Sequence, residues 1–176
     1  MTTTITGATG IDNIQAATGS VLQVVSFTLS STFSTSSYNS FVDFLSATIT
    51  PSSTSSKILV TVHVGGCGHN VAASRTAAFQ LKRGTTAIGI ADAASNRMRA
   101  SFRVQTSTDG NHARTGSMSF LDSPATASSV TYNCGAMAQT NTLSINRTGT
   151  DSDLGASSQN YGSRTISTIT LMEIAG

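Results

Sequence analysis

One eight-residue run narrows the fold more than any other part of the chain. In Lys57-Ile58-Leu59-Val60-Thr61-Val62-His63-Val64, the residues Ile58, Val60, Val62 and Val64 fall on every second position. A period of two sends all four to one side of an extended backbone. These four are β-branched, stiff at χ1 and suited to a pleated surface. No stretch offers a convincing helix, and the composition explains why. The 176 residues include 28 Thr and 28 Ser but one Glu and two Lys. Helices favour Ala, Leu, Glu, Lys and Arg, whereas Thr favours strands and Ser and Gly favour turns.

Similar segments recur along the chain. Val21, Gln23, Val25, Phe27 and Leu29 share one face, with Leu22 and Val24 on the other. A second strand is expected from Phe41 through Leu45, Ala47 and Ile49, stopping at Pro51, with a loop over Pro51–Ser56. The Lys57–Val64 strand is expected to end at Gly65-Gly66-Cys67-Gly68. Ala77–Arg83 and Thr85–Ile90 flank Gly84 as a hairpin. Met98, Ala100, Phe102 and Val104 alternate with Arg97, Arg99, Ser101 and Arg103 in one further strand. Gly116–Leu121, Ser129–Ala136, Thr142–Ile145 and Arg164–Ile174 complete the series, and Asn146–Ser163 reads as a long polar loop. About ten short strands separated by turn signals predict an all-β fold, an antiparallel β-sandwich, and specifically a jelly roll over residues 20–176. The final strand is apolar on both faces, which predicts a central position or a subunit contact. Residues 1–19 lack sustained alternation. They predict an extended attachment arm in which Ile5, Ile11 and Ile14 seat in apolar depressions of a partner.

Several segments, in order, resemble the small jelly-roll domains of phage virion proteins, the tail-fibre-like and capsid decoration proteins of marine and cyanobacterial phages. They are Gly19–Val24, Ile49-Thr50-Pro51-Ser52 with Ser56–Val60, Leu81-Lys82-Arg83-Gly84, Phe120-Leu121-Asp122-Ser123-Pro124, Val130-Thr131-Tyr132 and Thr168–Ile174. The resemblance spans residues 19–174 and implies a trimeric virion protein. It carries no catalytic or binding residues.

The residues themselves supply little chemistry. His63, Cys67 and His69 lie within seven positions, with Cys134 a conceivable fourth ligand, but their spacing matches no standard zinc pattern. The expectation is no metal, no cofactor and no catalytic residue. The seven Asp and one Glu sit mostly in turn-like settings such as Asp109-Gly110, Asp122-Ser123-Pro124 and Asp151-Ser152-Asp153. Glycosidases instead hold two carboxylates across one bond. Cys67 and Cys134 are expected as buried free thiols. Arg97, Arg99 and Arg103 are candidates for contact with an anionic partner, since guanidinium groups recognise phosphate and carboxylate. Trp is absent, and Tyr38, Tyr132 and Tyr161 are the only Tyr residues, which weighs against a dedicated glycan receptor.

A net charge of +2 argues against nucleic acid, and no apolar run approaches the roughly 20 residues of a membrane span. Met1–Gly7 has neither a basic start nor an apolar stretch, so the expectation is a product made in the host cytoplasm and destined for the virion. The function this predicts is non-enzymatic. A homotrimer would decorate and cement the capsid, with the major capsid protein as partner. The alternative is a tail-fibre or receptor-binding tip that recognises host surface glycans.

Overall fold

The computed structural model describes residues 16–70, 74–151 and 162–176. Eleven strands are found there: β1 (Val21–Leu29), β2 (Phe33–Thr35), β3 (Val42–Ile49), β4 (Lys57–His69), β5 (Thr76–Arg83), β6 (Thr86–Ile88), β7 (Phe102–Gln105), β8 (Arg114–Asp122), β9 (Val130–Ala138), β10 (Leu143–Ile145) and β11 (Ser167–Ile174). They form two antiparallel sheets. One has six strands in the order β1-β11-β4-β10-β2, with β8 on the other side of β4. The second has five, β3-β9-β5-β6, with β7 also on β5. Leaving aside the three-residue strands, the chain pairs first with last and inward: β1 with β11, β3 with β9, β4 with β8, β5 with β7. That nesting is a jelly roll. The proposed arm residues Ile5, Ile11 and Ile14 lie outside the described residues.

The alternation read from the sequence fills the core. Ile58, Val60, Val62 and Val64 are fully buried from one sheet, as are Phe79, Leu81, Tyr132 and Ala136 from the other. Each fully buried large apolar side chain contributes about 1.5–3 kcal/mol. Three ring pairs cross the interior: Phe33–Phe44, Phe44–Phe79 and Phe79–Phe102, with centroids 5.5, 6.0 and 4.7 Å apart. Strand β11 is central, between β1 and β4.

Two strand boundaries differ from expectation. Strand β4 does not stop at Gly65. It bulges between Val64 and Cys67 and continues to His69, where it pairs with β10. Gly65 sits there because the chain at Ile166 passes so close that a Cβ would collide with its carbonyl oxygen. The glycine marks a crossing of backbones, which sequence alone reads as a turn. Conversely, Arg97 and Arg99 are not in a strand. Only Phe102–Gln105 pairs with β5, opposite Thr76–Phe79. The β5–β6 hairpin, turning at Gly84 with φ +57°, occupies the same edge of β5 from Leu81 to Arg83. The segment before β7 therefore meets β5 mostly through side chains, as when Gln80 Nε2 donates to Arg99 O at 2.9 Å. Ser101, the last residue before the strand, adds a backbone bond, its N donating to Phe79 O at 2.8 Å.

The loop after β10 is also more than solvated chain. Asn146, at φ +62°, is fully buried. Its amide donates to Leu29 O and Ser31 O, both at 2.9 Å, and accepts from Ser167 Oγ at 2.7 Å. One side chain thus ties the β1–β2 junction to the start of β11.

Candidate functional site: an arginine-lined groove and a charge-poor sheet face

Among the described residues, four of the ten Lys and Arg side chains are in ion pairs. Lys82 meets Asp43 at 2.6 Å, Arg83 meets Asp122 at 3.0 Å, and Arg147 and Arg164 both bind Asp151. Hydrogen bonding from Arg164 holds the Asp151 carboxyl below its ordinary range. Arg97, Arg99, Arg103 and Arg114 have no acidic partner within 4 Å among the described residues. Three of these four are the arginines singled out from sequence.

Their placement follows from the local fold. Ala94–Arg97 forms a turn, with Arg97 N donating to Ala94 O at 3.1 Å and Ser95 at φ +53°. Arg97 then lines a groove of about 540 Å³ with Arg103, which projects from the outer face of β7. Arg103 Nη2 donates to Thr76 Oγ1 at 3.1 Å, which fixes the guanidinium without neutralising it. Arg99 faces an adjoining hollow that Arg97, Arg103 and Asp92 also line, and its Nε donates to Ala91 O at 2.6 Å. Arg103 and Arg114 further border a crevice of about 710 Å³ between β7 and β8. The three predicted arginines therefore converge, although on a turn and one short strand rather than on one strand face.

The groove's opposite wall brings together residues that no local pattern connects. Tyr38, 69% exposed, lines it with Met98, Met137 and Gln139. The turn carrying Tyr38 is anchored: Ala138 N donates to Ser37 O at 2.8 Å, and Ser37 Oγ donates to Ser40 O at 2.7 Å. Tyr38 and Arg97 are 59 positions apart, so only the β-sandwich unites them. Gln139 Oε1 accepts from Thr76 N at 2.9 Å, which aims its amide nitrogen away from that bond.

The outer face of the six-stranded sheet has another character. Cross-strand registers place Val24, Met172, Leu59 and Leu121 in one row across β1, β11, β4 and β8. The next row is Ser26, Thr170, Thr61 and Ser119, closed by hydroxyl contacts of 3.0 Å (Ser26–Thr170) and 3.2 Å (Thr61–Ser119). Val24 and Leu121 are about half exposed. Across these strands, Lys57 and His63 are the only titratable groups on that face.

The remaining sequence candidates are dispersed. His63 is on the outer face just described, whereas His69 is buried and its Nδ1 meets Thr106 Oγ1 at 3.1 Å. Cys67 and Cys134 are free and buried in opposite sheets. Burial pushes the Cys67 thiol up to about 12 and raises Cys134 as well. Asp122 is not in a turn as expected. It ends β8 buried, accepting Tyr132 Oη at 2.7 Å and the Arg83 guanidinium. Glu173, fully buried in β11, accepts Gln23 Nε2 at 2.6 Å, Ser52 N at 2.7 Å and Ser52 Oγ at 2.6 Å. Burial pushes its carboxyl up, but the bonds from Ser52 and Gln23 outweigh this and hold it at about 2. Both carboxylates spend their lone pairs on internal donors. No group of three or more His, Cys, Asp or Glu among the described residues is arranged to hold a metal ion.

No family model matches the chain, and no curated protein matches it.

Proposed function

We propose that this protein is a non-enzymatic structural component of a bacteriophage virion, a homotrimeric jelly roll that decorates and cements the capsid surface through the major capsid protein. The observation that carries the self-association is the charge-poor outer face of the six-stranded sheet, on which Lys57 and His63 are the only titratable groups across β1, β4, β8 and β11. An apolar row flanked by a row of hydroxyls suits an equally charge-poor partner surface, and three copies can turn this face toward a common three-fold axis with little like-charge repulsion. The virion assignment rests on the resemblance of the ordered segments between residues 19 and 174. The internal commitments of Asp122 and Glu173 support a role without catalysis.

Light scattering at micromolar concentration tests the assembly. The wild-type protein is expected at three times the 18.0 kDa chain mass, and Leu59→Glu, which sets a charge in the middle of the apolar row, is expected at one. A wild-type monomer overturns the trimer. Copy number in the intact particle tests the location, since many copies over the shell mean decoration and a few at one vertex mean tail. The second reading, a receptor-binding tip that recognises host surface glycans, is favoured by Tyr38 standing opposite Arg97 and Arg103.

A further inference from the structure

We propose that the groove between Tyr38 and the Arg97–Arg103 pair is a binding site for an acidic saccharide, a sugar chain bearing carboxylates such as a uronic acid. This deepens the glycan-recognition reading and rests on it, but it does not depend on self-association through the other sheet.

The chemistry is specific to that ligand class. Two guanidinium groups without acidic partners border one hollow, and each can hold a carboxylate through two parallel N–H donors. Arg103 is oriented in advance by its bond to Thr76, so less freedom is lost on binding. The exposed Tyr38 ring offers a face to the C–H side of a pyranose, and Met137 and Ala78, both more than nine-tenths buried, form an apolar floor. The Gln139 amide, with its oxygen already engaged, has N–H donors left for a sugar hydroxyl. An apolar surface with a few placed polar groups is the general pattern of a small-ligand site. A free inorganic anion would use the arginines and leave the ring idle. A nucleic acid would want cations strung along a track, whereas these gather at one hollow in a chain of net charge +2.

The experiment titrates the full-length protein with trigalacturonate by calorimetry, using maltotriose as the neutral control and inorganic sulfate as the bare-anion control. Trigalacturonate is expected to bind and maltotriose to show no heat. Arg97→Ser with Arg103→Ser should weaken trigalacturonate by about tenfold or more, since a hydrogen bond to a charged group is lost at each position. Tyr38→Ala should weaken it by about fivefold and leave any sulfate binding unchanged. Arg114→Ser, an unpaired arginine outside the groove, should change nothing. Circular dichroism and thermal melts of each variant confirm folding, and Tyr38→Phe, which keeps the ring, should retain binding. Unchanged affinity in the double arginine variant, an equal loss in Arg114→Ser, or tighter binding of a single-stranded oligonucleotide overturns the proposal. Adding Leu59→Glu separates the two readings: the groove should bind trigalacturonate equally well in that variant, whatever its oligomeric state.

Discussion

The two sheets distribute their polar groups in opposite ways. The six-stranded sheet turns Glu173, Asp122 and His69 inward and leaves its exterior mainly to Val, Leu, Met, Ser and Thr, with Lys57 and His63 the only titratable groups across its long strands. The five-stranded sheet packs its interior with Ala77, Phe79, Leu81, Cys134 and Ala136, relieved by the Tyr132 hydroxyl, and carries the Lys82–Asp43 pair and Arg103 outside. Buried charge is costly unless satisfied, and here it is satisfied by loops and by the facing sheet. Glu173 collects the Ser52 loop, while Asp122 reaches Tyr132 and Arg83 across the sandwich. These bonds specify register on the same sheet whose outer face is too neutral to specify anything by charge. A sheet locked from within can offer a plain face without.

The contrast breaks most severely if Glu173 is removed. Glu173→Ala leaves Ser52 N, Ser52 Oγ and Gln23 Nε2 without their acceptor, with a void beside Ile58. The expected loss is roughly 4 kcal/mol by urea denaturation. Glu173→Gln keeps the volume but sets an amide against the same donors, for a loss of about half that. A cost under about 1 kcal/mol for the alanine variant would show that the inward carboxylate is incidental to the six-stranded sheet.

Acid separates the inward groups from one another. Burial first, and Arg75 second, hold His69 down at about 4, and its Nε2 has no hydrogen-bond partner among the described residues. The unfolded chain, with an ordinary pKa of 6.5, binds this proton earlier than the folded one. Stability conferred by the neutral ring is therefore full above pH 6.5, falls as pH drops, and is lost near pH 4, by up to about 3 kcal/mol. Glu173 acts in a lower window, from its ordinary 4.5 to about 2, in the same direction. Chemical denaturation at a series of pH values should show a decline beginning near 6.5 in the wild type. In His69→Leu the decline should begin nearer 4.5. Identical profiles would remove His69 from this account.

How much of this was legible beforehand depended on distance along the chain. The alternation at Ile58–Val64 identified β4, and the Gly84 hairpin was correct in both arms, because each is a local pattern. Glu173 looked like a lone acid in an apolar strand, and its partners Gln23 and Ser52 lie 150 and 121 positions away. The same is true of Tyr38 across the groove from Arg97. Gly65 misled because a close crossing and a turn select the same residue. Arg97 and Arg99 misled because their apolar neighbours kept a strand's period after β6 had taken the edge they needed.

The outer faces give smaller effects. If neutrality lets the six-stranded sheet meet its own copy, Thr61→Lys should weaken association by about tenfold while leaving the isolated domain's stability within about 0.5 kcal/mol. Sedimentation across a concentration series reads the first and denaturation the second. A Thr61→Lys protein that assembles as the wild type does would place the contact elsewhere.

The smallest effect belongs to the Lys82–Asp43 pair, the most orderly charge feature on the five-stranded sheet. It spans β9 at Gly135, whose missing side chain leaves room for the Asp43 carboxylate above the strand. Its 2.6 Å separation is short, yet the Asp43 side chain is 41% exposed and the Lys82 side chain 16%. Water screens such a pair, and two side chains must be held still to make it. Lys82→Met, which keeps the aliphatic stem over the sheet, should cost about 0.5 kcal/mol and lose its remaining effect in 1 M salt. Asp43→Asn should match it, and the double variant should cost little more than either, since both remove the same interaction. A cost above about 2 kcal/mol would mean that the outer charge helps fix the five-stranded sheet, as Glu173 fixes the other. The two sheets would then differ in where their charge sits but not in what it does.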